Sequence, residues 1–88
     1  MKFQLGQLVA TPGCIEFCRR NGVDLLGLVA RHANGDCGDM CAEDKATNKR
    51  AIEVGARVFS SYRAHGDSVW IITEADRSST CCLLPNEY

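Results

Sequence analysis

No stretch of this chain approaches the ~20 consecutive apolar residues that a membrane-spanning helix requires. Its first residues, Met1-Lys2-Phe3-Gln4-Leu5-Gly6-Gln7, interrupt their apolar positions with glutamine and lack the continuous core of a secretory signal. The chain is therefore expected to stay in the cytosol, away from membranes. It also lacks an excess of charge of either sign. Ten Lys and Arg stand against eleven Asp and Glu, and neither sign is gathered in one segment. Binding to a nucleic-acid backbone usually shows as a basic excess or stripe, so charge gives no indication of a nucleic-acid partner. Absent too are a glycine-rich phosphate loop, a serine elbow and a His-Glu-x-x-His helix, the patterns that announce common phosphate, acyl and zinc chemistry. There is no internal repeat, linker or low-complexity segment.

What is present fits a single small domain over residues 1–88. Apolar content of 45% with 24% charged residues is that of a globular chain rather than a disordered one. At 88 residues, roughly 60–65% of the unfolded surface can be buried, so the stability margin is thin. The strongest signal is Ser68-Val69-Trp70-Ile71-Ile72-Thr73, where β-branched and aromatic residues follow almost without a break. It predicts an inner strand, with Arg57–Arg63 and Thr80–Leu84 beside it and turns at Ala64–Asp67 and Glu74–Ser79. Pro85 then closes the sheet.

Upstream, Lys2–Ala10 alternates loosely and predicts a strand near an edge. Thr11-Pro12-Gly13 opens a helix, with threonine as cap and proline at the first turn, and Asn21-Gly22 ends it. Asp24 caps a second helix to about Ala33, with Leu25, Leu28 and Val29 on one face. A third helix is expected from Met40 or Cys41 to before Gly55, with Lys49 and Glu53 one turn apart and able to pair. Strand, three helices, three strands is an α+β order. It predicts an antiparallel sheet, made of the N-terminal strand and a C-terminal three-stranded meander, with about three helices packed on one face.

Six cysteines in a reducing compartment argue against disulfides. The spacings Cys14-x3-Cys18 and Cys37-x3-Cys41, with His32, bring zinc into consideration. Against it, cysteine is a common core residue, and Cys81-Cys82 point to opposite faces of one strand. Buried or surface thiols are the preferred reading, with Cys37 in its loop as the thiol most open to oxidation. His32, Asp36 and Cys37 have the residue types of a nucleophile, a base and an orienting group, but no oxyanion-forming motif surrounds them. The plainer reading gives His32 to a helix end and Asp36 and Asp39 to the shaping of a loop. Trp70 is expected in the core. Facing outward it would be a recognition anchor. The corner Glu74, Asp76, Arg77 is either a self-satisfied turn or a polar binding site, and His32, Asp36 and Asp39 are the groups that would complete such a site.

Trp70-Ile71-Ile72-Thr73-Glu74-Ala75-Asp76-Arg77-Ser78 resembles a segment found in a family of small proteins carried by bacterial plasmids and other mobile elements. Shorter pieces support the resemblance: Val9-Ala10-Thr11-Pro12-Gly13, Arg31-His32, Gly35-Asp36, Gly38-Asp39, Glu43-Asp44 and Leu83-Leu84-Pro85. The family carries tryptophan where this chain has Cys37, and threonine or an apolar residue at Cys81 and Cys82, so the resemblance implies that the cysteines are not a shared metal set. It implies a bacterial accessory role. The expected function is a non-enzymatic binding protein, such as an inhibitor of host defence of the anti-restriction or anti-CRISPR kind. Its expected partner is a protein, a second copy of the chain included, with neither cofactor nor metal. The alternative is a small enzyme or ligand-binding module built on His32, Asp36, Glu74, Asp76 and Arg77.

Freshly purified protein in reductant is expected to show six titratable thiols and no stoichiometric zinc. One zinc per chain by elemental analysis, with unfolding in chelator, would reverse the reading.

Overall fold

The computed structural model describes residues 2–40 and 42–88. A first strand, β1 (Gln7–Ala10), leads into three helices: α1 (Pro12–Asn21), α2 (Leu25–Ala33) and α3 (Ala42–Val54). Strands β2 (Val58–Ala64), β3 (Asp67–Thr73) and β4 (Ser79–Leu83) follow, and a 3₁₀ turn at Pro85–Glu87 ends the chain. The α+β class expected from the sequence is the one observed. Cys41, one of the two expected starts of α3, lies outside the described residues.

The helix ends follow from local chemistry. Thr11 Oγ1 accepts from the Cys14 amide at 3.1 Å, and Pro12 occupies the first turn, where its missing N–H costs nothing. Gly22 closes α1 in the left-handed region at φ 66°. Asp24 Oδ1 accepts from the Gly27 amide at 3.1 Å and starts α2.

The sheet order is β1-β4-β3-β2, which places β3 inside, flanked by β2 and β4 as the meander predicts. One feature departs from expectation: β1 runs parallel to β4, so the sheet is mixed rather than wholly antiparallel. Short turns oblige β2, β3 and β4 to alternate direction. The excursion through three helices puts no such demand on β1, and a long crossover is what parallel pairing needs. The expected first strand is also shorter than its alternation suggested, covering only Gln7–Ala10.

Alternation along β3 assigns the two faces. Val69 and Ile71 are fully buried and pack with Tyr62 and Cys82 against Cys14, Phe17 and Cys18 of α1 and Val29 of α2. Each aliphatic residue so placed contributes roughly 1.5–3 kcal/mol. Trp70 and Ile72 therefore point the other way.

α3 is built differently. Its only buried side chains are Asn48 and Ala51, and it meets the sheet at β2. β2 is an edge strand, and its outward backbone groups need partners. The Phe59 amide donates to Asn48 Oδ1 at 3.0 Å, and Asn48 Nδ2 donates to the Phe59 carbonyl. Farther along, the Ser61 amide donates to the Cys37 carbonyl at 3.1 Å, and the Asp39 amide to the Ser61 carbonyl at 2.7 Å. The Arg63 amide donates to Asp39 Oδ2 at 2.7 Å. Gly38 makes this docking feasible: it sits at φ 78°, and a Cβ there would strike the Ser61 carbonyl.

Asn48→Ala orphans both the amide and the carbonyl of Phe59 and should cost about 2–4 kcal/mol. Lys49→Ala, one position on and exposed, should stay within about 0.5 kcal/mol of wild type. Urea unfolding of the two variants checks the difference. Equal stability would mean that water replaces Asn48 at the edge.

Candidate interaction surface

The six polar residues singled out in the sequence do not form one site. Asp39 binds at Arg63, whereas Arg77 reaches the carbonyl of Ala56. Those points lie seven residues apart along β2 and its approach, on the order of 20 Å in extended chain.

His32 is fully buried, its ring held edge-on by Phe3 at 5.2 Å between centroids. Nδ1 lies 2.6 Å from Ser60 Oγ, and Nε2 lies 2.8 Å from Thr73 Oγ1. Thr73 Oγ1 is 2.7 Å from Thr80 Oγ1, which donates to the Leu5 carbonyl at 2.7 Å. Counting protons fixes the direction of this chain. The Leu5 carbonyl only accepts, so the single hydroxyl proton of Thr80 goes there. Thr80 then accepts from Thr73, which has no proton left for the imidazole. Nε2 must therefore carry the proton, and Nδ1 accepts from Ser60. Burial, helped by the nearby Arg77 cation, holds the His32 pKa down at about 4. At neutral pH it is an uncharged structural group closed off from solvent.

Arg77 adopts the left-handed conformation at φ 59°, a strained state for a residue with a side chain. Its guanidinium compensates by donating to the carbonyls of Ala56 (2.6 Å) and Glu74 (3.2 Å), with a longer contact to Ala51 at 3.4 Å. It also lies over the Phe3 ring at 5.3 Å. It binds the turn to the end of α3 and to the N-terminal segment, through backbone carbonyls and the Phe3 ring. Asp76 accepts from the Ser78 amide at 3.0 Å and shapes the turn, and hydrogen bonding from the Ser78 hydroxyl and then its amide keeps its carboxyl below the usual range.

The loop aspartates are equally occupied. Asp36 accepts from Arg31 Nε at 2.7 Å and from the Gly38 amide at 2.8 Å, and both bonds lower its pKa. Arg31 lies over the Tyr62 ring at 4.7 Å. Tyr62 donates to the Asp36 carbonyl, and burial pushes its phenol up to about 12.

The thiols are mostly core. Burial pushes Cys14 and Cys82 up to about 12 and raises Cys18. Cys37, expected to be exposed, is only 7% accessible, because its loop serves as the partner of β2; it accepts a contact from Asn48 Nδ2 at 3.2 Å. Cys41 lies outside the described residues. Among the described residues, no group of three or more His, Cys, Asp and Glu is placed to hold a metal.

Glu74 leads to a second surface, on the other face of the sheet. Its carboxylate lies 3.5 Å from Arg57, which donates to the Tyr88 hydroxyl at 3.1 Å and lies over that ring. Tyr88 meets Trp70 edge-on at 5.7 Å, and Trp70 meets Phe59 at 5.0 Å. Trp70 and Phe59 are half-buried, and Tyr88 is 70% exposed. This aromatic run lies on the sheet face opposite α1 and α2. Trp70 thus lies on the face away from α1 and α2, partly buried beneath Tyr88, rather than in the core beneath the helices. Arg57 and Tyr88 were missed in the sequence. The parity of Phe59 and Trp70 on paired strands was the signal available; the return of the chain end over β3 had none.

No helix among the described residues is long and apolar enough to cross a membrane. No protein-family model, curated protein or solved structure matches the chain.

His32 gives a pH prediction. Its folded pKa lies below that of the unfolded chain, so the unfolded state binds more protons between about pH 6.5 and 4. Stability should be fully present above that window and fall across it by about 3 kcal/mol as pH drops. NMR should find the ring neutral at pH 6 and protonated at Nε2. A midpoint near the ordinary value would overturn the assignment.

Proposed function

We propose that the chain is a non-enzymatic binding module that engages a protein partner through the sheet face carrying Phe59, Trp70 and Tyr88, with Arg57 and Glu74 at its margin. The observation that carries this reading is the partly buried aromatic run, ending in the exposed ring of Tyr88, with an arginine beside it. Such residues are enriched where interfaces concentrate binding energy, because they bring large contact area with few rotors to freeze. The alternative, a small enzyme or ligand site built on His32, Asp36, Glu74, Asp76 and Arg77, is less favoured because these residues are held in different places by different partners. His32 is uncharged and enclosed, and Arg77 and Asp76 are engaged by backbone.

The mobile-element setting and the inhibition of a host-defence protein are supported by the resemblance of Trp70–Ser78, and residence in the cytosol would follow from that setting. Self-association, the other partnership anticipated, would pair the open edge of β1, where Leu8 and Val9 are exposed.

Trp70 is the chain's single tryptophan, so its fluorescence should report partner engagement directly. The double variant R57E/Y88A alters two exposed side chains and should melt close to wild type. Its affinity for a partner captured from a bacterial host lysate by the wild-type chain should fall roughly 30-fold or more. Retained binding would move the interface to another face.

A further inference from the structure

A second feature lies away from the aromatic face. A cavity of about 500 Å³ opens between the end of α2, its following loop and α3. The size falls within the roughly 300–1,000 Å³ typical of small-molecule sites. Lys45, Lys49 and Ile52 present one face of α3 to it, and Lys2 and Cys37 close the other sides. The backbone is set for this opening. The Lys2 amide donates to the Ala33 carbonyl at 2.7 Å and pins the N-terminal segment to the end of α2. Gly35 adopts φ 86°, and a Cβ there would come within 3.5 Å of the Lys2 stem and 3.9 Å of Ile52. Any side chain at this position would be strained and would fill the meeting point of the walls.

The charge balance of the cavity favours an anion. None of the three lysines takes part in the ion pairs of the described residues. Lys49 and Glu53, which the sequence suggested as a pair, both line the cavity without bonding to one another. Asp36 is committed to Arg31 and to the Gly38 amide. The lining thus holds three ammonium groups against two carboxylates, Glu53 and an Asp36 already bound by Arg31 and also drawn by the Lys45 charge, which leaves an excess of positive charge. The C-terminal end of α2 would repel an anion if its carbonyls were bare. They are covered: the amides of Asn34, Gly35 and Asp36 donate to Ala30, Arg31 and His32 carbonyls at 2.9–3.2 Å. The floor, at Ile52 and the buried Cys37, is apolar.

We infer that this cavity binds a small organic anion, with a carboxylate held by Lys2, Lys45 and Lys49 and an apolar body seated on Ile52 and Cys37. Binding at this site is independent of the aromatic face. Neither half of the ligand suffices alone, because exposed ammonium groups give little net energy in water and the apolar floor supplies no orientation.

The probes are hexanoate and benzoate, titrated into ¹⁵N-labelled full-length protein, with hexanol and inorganic phosphate as partial ligands. At least one carboxylate should shift the amide signals of Gly35, Cys37 and Ile52 saturably below about 10 mM, while hexanol and phosphate should not. K45Q/K49Q changes exposed residues, so the melting temperature should hold while carboxylate affinity falls about tenfold. Three results would overturn the inference: no saturable shift with either carboxylate, equal binding of hexanol, or unchanged affinity in the lysine variant. Phosphate binding in place of the carboxylates would overturn the organic half of the assignment.

Discussion

The His32 imidazole is the point on which the rest of the structure turns. One ring ties α2 to β2 through Ser60 and to β3 through Thr73, and the hydroxyl relay carries the connection through β4 to the Leu5 carbonyl. Each member has one proton to give, and every proton has a destination, so the relay runs in one direction only. In a chain this small, a buried polar network without water is either fully satisfied or a serious defect. Among the described residues every buried side-chain nitrogen and oxygen has a partner. The network holds one helix, three strands and the N-terminal segment in register in a way that an apolar cluster of the same volume would leave less specified.

The sheet's two edges are handled in opposite ways. At β2 the outward backbone groups are taken up by Asn48, by the Cys37–Asp39 loop and by the Asp39 carboxylate, which together act as an irregular fifth strand. Arg77 continues this closure past the start of β2 at Ala56. At β1 the edge stays open, kept short by its four residues and followed at once by Pro12, which has no N–H to offer. The polar residues that looked like a site in the sequence are largely those that close the first edge. Asp36, Asp39 and Arg77 have the same chemistry as ligand-binding groups because the backbone amides and carbonyls they satisfy make the same demands as a ligand.

This explains what was legible in the sequence and what was not. Thr11-Pro12, Asn21-Gly22 and Asp24 are local signals, and the helix ends they imply are where they should be. The β3 segment announced itself through consecutive β-branched residues, and its neighbours followed from short turns. The parallel pairing of β1 was not legible, because a long connection carries no information about direction. Nor was the fate of His32, since nothing local in Arg31-His32-Ala33 distinguishes a histidine closing a helix from one reaching two strands 28 and 41 residues away. The exposure of Cys37 was misjudged for a related reason. A loop rich in glycine and aspartate usually lies in solvent, but this one doubles as the partner of an edge strand.

The remaining question is why a two-layer domain carries an aromatic outer face at all. With α1 and α2 on one side, the other side of β3 and β4 would ordinarily be polar. Here it presents Trp70, Ile72 and Leu83, with Phe59 beside them. The chain end supplies part of the cover. Glu87 accepts from the Thr11 hydroxyl at 2.6 Å and from the Leu84 amide at 2.8 Å, which fixes the 3₁₀ turn between the start of α1 and the end of β4. That clamp lets Ile72 and Leu83 be almost fully buried, yet it leaves Trp70 half-open and places Tyr88 at the rim with Arg57 across it. If the cover served stability alone, it would be expected to close over the largest apolar side chain first. The cover instead closes over the aliphatic residues and leaves the indole partly buried, with Tyr88 as the exposed outer ring of the face.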